Sequence, residues 1–235
     1  MENRHITGRE MALMCFSPEV DLVAGAAIAV VAVDAARHCR SWRTAPLAAL
    51  PAIFAVHTLT SAVVWWGLRG DVPAPCGQVG TQVYLIIAFV LLPIYVPIAV
   101  LLLEPPGGRR WLIGVLAAAG AVAGIDFLTG LLGGRGEATA HDFYIDFNVP
   151  ATSTMAAVLY VTATCGALLL SGQRPLVIWG VTNVVVVGAL ALTASQGLPS
   201  LWCFWAACTS VFIAWYLRSI DRPAAVDSAR VAVEP

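Results

Sequence analysis

Seven continuously apolar runs divide the chain: Val20 to Ala36, Pro46 to Leu68, Gly80 to Leu103, Trp111 to Gly133, Pro150 to Leu170, Pro175 to Ser195 and Leu201 to Leu217. Arg, Pro or Gly bounds each of them. A bilayer core of about 30 Å is crossed by a helix of about 20 apolar residues. A barrel strand needs only about 10 residues and alternates apolar with polar positions. Helices close their own backbone hydrogen bonds, which lipid cannot do for them. The pattern therefore predicts an all-α integral membrane bundle of seven transmembrane helices. Such spans would consume about 140 residues, so residues 20–218 form one membrane domain. They are flanked by a short N-terminal segment (1–19) and by a Pro-, Ala- and charge-rich tail (219–235) expected to be disordered.

Composition strengthens this picture. The 235 residues are 59% hydrophobic and 11% charged, against roughly 25% charged in soluble domains. All 13 basic residues are arginines, and their distribution orients the bundle. Arg4, Arg9, Arg69 and Arg135 fall on one side, whereas Arg37, Arg40, Arg43, Arg109, Arg110, Arg174, Arg218, Arg222 and Arg230 fall on the other. Cytoplasmic loops carry the arginine excess, so the N-terminus is predicted outside, the C-terminus cytoplasmic, and the protein a multi-pass component of the cell membrane. The first run is long enough to span and has no small-residue cleavage pattern, so it is read as a retained helix. A net charge of -1 gives a nucleic-acid partner no electrostatic support. Without lysine there can be no retinal Schiff base, and HExxH, GxSxG and aspartate-rich diphosphate motifs are absent from the sequence.

Ionisable groups inside a membrane cost several kcal/mol and are functional candidates by default. Asp126, roughly 10 Å below the outer surface by helical rise, and His57, mid-run, stand clear of the predicted interfaces. Asp126 reads either as a carboxyl hydrogen-bonded to Thr129 or to a neighbouring helix, or as a protonated acid poised for catalysis. The Gly and Ala residues around it permit close approach of a helix or a ligand. His57, Ser61 and Trp65 recur every four residues and share one helix face, as interhelical hydrogen bonding or as the wall of a site. Trp65, Trp66, Trp202, Phe204, Trp205, Phe143, Tyr144 and Phe147 gather toward the outer side, either as an interfacial belt or as an aromatic cavity able to stabilise a cation. The expected substrate contacts are Ser61, Trp65, Trp202, Trp205, Tyr144 and Asn183.

The loop from Arg135 to Val149 reads as a short interfacial helix or lid, with Asp142 and Asp146 on one face. A metal there is not expected, nor is any cofactor. Pro93 and Pro97 each remove a helix hydrogen bond and predict a kink, serving either packing or a hinge. Cys15, Cys76 and Cys203 fall on the outer side, where a disulfide or thiolate site is geometrically open to them. Cys165 and Cys208 read as small apolar residues.

The segment Met14-Cys15-Phe16-Ser17-Pro18, the run AVHTLTSAVVWWGL (Ala55 to Leu68) and SLWCFWAA (Ser200 to Ala207) resemble an uncharacterised multi-pass membrane family of actinobacteria whose members start Met-Cys-Phe-Ser. The resemblance extends from Met14 to Arg218 and implies no activity. It implies a glutamate where this chain has Ser61, so the acid expected on that face is missing. It also implies that Asp126 is an addition of this chain.

These observations lead to the expectation of an intramembrane enzyme acting on a lipophilic substrate of terpenoid or prenylated type. Asp126 would be the proton donor for a reaction such as cyclisation, and His57 its catalytic partner. Small seven-helix terpene cyclases offer an analogy of size and topology alone. The alternative is a small transporter, sensor or assembly factor in which His57 and Asp126 form a relay. The bilayer and a lipophilic small molecule are the partners expected in either case.

Overall fold

A computed structural model of the chain describes residues 17–141, 144–148, 151–193, 205 and 208–221. Helix α1 (Pro18–Arg37) starts at Ser17, whose hydroxyl accepts from the Val20 N–H, with Pro18 in the first turn. The next helix, α2 (Ala45–Arg69), stops at Gly70, whose φ of 80° suits a residue without Cβ. Then follow α3 (Ala74–Leu103), α4 (Gly108–Leu132), the strands β1 (Ala138–Ala140) and β2 (Ile145–Phe147), α5 (Thr154–Leu169), α6 (Arg174–Thr193) and α7 (208–221). The helix α7 runs past the boundary expected at residue 218.

The seven predicted runs thus each correspond to a helix, but not all are shown to be spans. Among the described residues three helices, α2, α3 and α4, are long and apolar enough to cross a membrane. Thr154–Leu169 and Arg174–Ala189 are apolar but shorter, and α1 carries Glu19, Asp21, Asp34 and Arg37. One of those charges is answered across the bundle: Asp34 accepts from Arg218 of α7 at 2.6 Å, with His38 at 3.7 Å. Arg40 pairs with Asp221 at 2.9 Å, so α1 and α7 are joined at the arginine-rich end.

The loop after α4 corrects the expectation of a short helix there. Ala138, Thr139 and Ala140 pair antiparallel with Phe147, Asp146 and Ile145, and Ile145 and Phe147 are buried while Asp146 between them is not. That period of two is a strand signature, and the glycines at 134 and 136, with φ of 84° and 102°, turn the chain into the hairpin. Asp142 and Phe143 lie outside the described residues.

The ladder of α3 is irregular just ahead of its two prolines. Residues Ile86–Leu91 form a π turn between two α-helical halves, immediately before Pro93. Pro97 cannot donate to the Pro93 carbonyl four residues earlier, and at that point α4 comes closest. A Cβ on Gly120 would overlap the Pro93 carbonyl oxygen, and one on Gly124 would lie 3.0 Å from the Val90 carbonyl. The Gly120-x-x-x-Gly124 face is therefore what lets α3 and α4 meet.

A main core of buried residues from all seven helices fills the arginine-rich half, including Ile28, Phe54, Val96, Ile113, Leu168, Trp179 and Ile213. Two smaller aromatic clusters occupy the half beneath the hairpin.

Candidate functional site

Helix α1 buries Pro18, Asp21, Gly25, Ile28, Ala32 and Ala35, alternating steps of three and four that make one stripe. A Cβ on Gly25 would lie 2.6 Å from Leu59 Cγ, so α1 and α2 are nearly in backbone contact there. One turn toward the hairpin end, this approach seats Asp21, only 6% exposed, against Ser61, 4% exposed. The Ser61 hydroxyl hydrogen-bonds the Asp21 carboxyl. The acid that the resemblance leads one to expect at position 61 is thus supplied from the adjacent helix.

One turn below Ser61, His57 is 1% exposed. Its ring stacks on Tyr84 of α3 with centroids 4.0 Å apart, and Tyr84 stacks on Phe147 of β2 at 4.3 Å and 8°. This three-ring column ties α2, α3 and the hairpin together. Val64, Trp65, Leu85 and Ile145 surround it, and the Arg69 guanidinium lies 5.4 Å from the Trp65 ring centre, within cation–π range. His57, Ser61 and Trp65 therefore share one buried face, and Asp21 joins them.

Asp126 sits elsewhere. Its carboxylate accepts from the Thr152 N–H at 2.8 Å, from the Thr152 hydroxyl, and from the Ser153 hydroxyl at 3.4 Å. Ser153 is the N-cap of α5 and accepts from the Ala156 N–H at 3.2 Å. A negative charge held on a helix N-terminus interacts favourably with the exposed N–H groups there. The structure thus gives Asp126 hydrogen-bonding partners of the kind set out for the packing role, though they come from the α5 N-terminus. Thr129 instead donates to the Asp126 backbone carbonyl at 2.8 Å. Phe127 on the same helix meets Phe89 and Tyr160, with centroids 5.1 and 6.1 Å away.

Asn183 and Trp205 form a third place, where the Trp205 indole N–H donates to the Asn183 carbonyl oxygen. Both border a void of ≈ 30 Å³ together with Phe54, Tyr160 and Trp179, about the size of one water. Tyr144 is on the hairpin, stacked on His141 at 4.7 Å. Trp202, Cys15 and Cys203 lie outside the described residues. Cys76 is a free, exposed thiol; Cys165 is buried and Cys208 exposed. Among the described residues no three His, Cys, Asp or Glu side chains converge as a metal site.

A cleft of ≈ 550 Å³ lies beside the aromatic column, with Val64 as a shared wall. Its volume is that of a small-molecule pocket. Gln78, Thr81 and Gln82 from α3 line it, with Arg135 and Glu137 from the loop before β1. Gly67 of α2 and Gly77 of α3 also border it, and these two approach so closely that a Cβ on either would overlap the other's Cα.

Asp21 is the residue that sequence reasoning missed. It lies at the second position of the first apolar run. Its spacing of four from Gly25 and seven from Ile28 was the available signal that it faces inward. No curated protein and no solved structure matches the chain. A family model does match, over residues 14–229 and so from the Met-Cys-Phe-Ser segment onward, and the chain belongs to that family of unknown function (DUF6629).

Proposed function

We propose that this is a seven-span membrane protein with its hairpin end outside the cytoplasm, and that Asp21, His57 and Ser61 form an acid–base site acting on a lipophilic substrate. One observation carries the reading: Asp21 is a carboxyl buried on a helix stripe and hydrogen-bonded to Ser61, on the same face as a buried imidazole. A carboxyl, a hydroxyl and an imidazole on adjoining helix turns can take up and return a proton without bulk water. The surrounding rings of Trp65 and Tyr84 suit an apolar or transiently cationic substrate. A terpenoid or prenylated molecule fits that description, with acid-initiated rearrangement as the reaction. Asp126, engaged with the α5 N-terminus, is better suited to holding α4 and α5 together than to donating a proton.

The test uses the full chain in lipid nanodiscs, incubated with a pool of linear isoprenoid alcohols and a membrane lipid extract and followed by mass spectrometry. Wild type should consume at least one species, and Asp21→Asn and His57→Phe should each lower its rate by about 100-fold or more, the usual range for general acid–base groups. Asp126→Asn should retain the rate per folded molecule while melting at lower temperature. Full turnover in Asp21→Asn overturns the assignment.

The second reading, a transporter, sensor or assembly factor, is favoured by the π turn of α3. Such turns recur at functional sites in helices, and this one separates the half of α3 bearing Tyr84 from the half bearing Pro93 and Pro97. Proton uptake into liposomes that is lost in His57→Phe, with no lipid species consumed, would select it.

A further inference from the structure

The cleft beside the aromatic column holds two opposite charges that do not neutralise each other. Arg135 and Glu137 both line it, yet neither belongs to an ion pair among the described residues. Gly136 between them, at φ 102°, sets their backbones at a sharp turn. Arg135 spends one N–H on the Ala151 carbonyl at 2.9 Å, which anchors the guanidinium and leaves its other donors for a ligand. Across the cleft Gln78 and Gln82, one helical turn apart on α3, bring two amide groups, each both donor and acceptor.

A cation and an anion on one wall of a pocket, unpaired with each other and facing two amides, complement a ligand that carries both charges. We infer that this cleft binds a zwitterionic head group, its phosphate on Arg135, its ammonium on Glu137 and its remaining oxygens on the Gln78 and Gln82 amides. The shared wall at Val64 would then place the ligand's apolar part toward Trp65 and Tyr84. Taking this ligand as the substrate rests on the intramembrane acid–base reading, whereas binding itself is measured without turnover. Failure of one is thus distinguishable from failure of the other.

Phosphatidylethanolamine and phosphatidylglycerol distinguish the charge requirement, since both carry the phosphate and only the first carries the ammonium. Native mass spectrometry of the full chain in detergent should show wild type retaining phosphatidylethanolamine about tenfold better than phosphatidylglycerol, as expected for one added charge-assisted contact. Glu137→Gln, whose side chain is nearly the same shape, should reduce that preference to parity, and Gln82→Leu should weaken both lipids. Competition by soluble phosphoethanolamine would show that the site takes the head group from water; retention in its presence would assign it to the lipid. Either result supports the zwitterion site. Equal retention of the two lipids by wild type, or an unchanged preference in Glu137→Gln with an unchanged melting temperature, overturns it.

Discussion

Gly120→Leu is expected to yield no stably folded protein, seen as loss of the monodisperse peak in detergent size-exclusion chromatography. The side chain would enter the space held by the Pro93 carbonyl, a backbone atom that cannot change rotamer. Relief requires α3 and α4 to move apart along their whole contact. Ala163 of α5 closes the other side, its Cβ 3.3 Å from the position a Gly120 Cβ would take. Overpacking ordinarily costs about 1–3 kcal/mol, and Gly120→Ala should already reach the top of that range or exceed it, because its Cβ alone overlaps the Pro93 carbonyl oxygen. Leucine needs more. Gly188→Leu on α6 is the control: a Cβ there meets nothing within 4 Å, and leucine favours helix over glycine by nearly 1 kcal/mol. A Gly120→Leu protein melting within about 2 °C of wild type, a stability change of at most about 1 kcal/mol, would contradict the close crossing.

Glu104→Leu should produce the second large loss. Glu104 ends α3 and is 1% exposed, accepting from the Ser171 hydroxyl and the Gly172 N–H at 2.7 Å each. Its own backbone carbonyl accepts from Arg110 at 3.2 Å, and a Cβ on Gly172 would lie 2.7 Å from the Arg109 guanidinium. The carboxylate therefore joins the α3–α4 turn to the α5–α6 turn. Leucine leaves the Ser171 and Gly172 donors without an acceptor, at about 1–3 kcal/mol for the buried Ser171 hydroxyl and less for the N–H of the exposed Gly172, a shift readable by thermal melting. Glu104→Gln keeps one acceptor oxygen and should recover part of the loss. Equal destabilisation by Gln and Leu would assign the effect to charge rather than to the two hydrogen bonds.

The succession of helices was legible because hydropathy reports the solvent each segment prefers, and all seven apolar runs became helices. Their lengths as spans were less so. Charges at Glu19, Asp21 and Asp34 sit within or beside the first run, and a window average cannot say that Arg218 answers Asp34 from the far end of the chain. The hairpin escaped because Asp142 and Asp146 share a helical spacing, while the decisive signal was three residues long, with Ile145 and Phe147 inward and Asp146 between them. On the candidate site, the face carrying His57, Ser61 and Trp65 follows from helical period alone. Which carboxyl meets that face does not, because it depends on where helices cross. Gly25 brings α1 onto α2, so the near partner of Ser61 is Asp21, whereas Asp126, prominent in the sequence for its depth, turns toward Thr152.

The π turn in α3 has a bearing on how this chain can tolerate changes in length. A π turn is an α-helix carrying one residue more than its ladder needs, and each residue rotates a helix by about 100°. Removing any one residue between Ile86 and Leu91 would let the segment relax to ordinary α geometry with every hydrogen bond intact. A π turn spreads its extra residue over about the same rotation as an ordinary α turn, so the half-helix bearing Tyr84 would keep its phase relative to the half gripped by Gly120, and the ring would stay in the column between His57 and Phe147. A deletion elsewhere in α3 has no such turn to absorb it and would rotate one half by about 100°, so the irregular turn is where this helix accepts a change of one residue without losing the site.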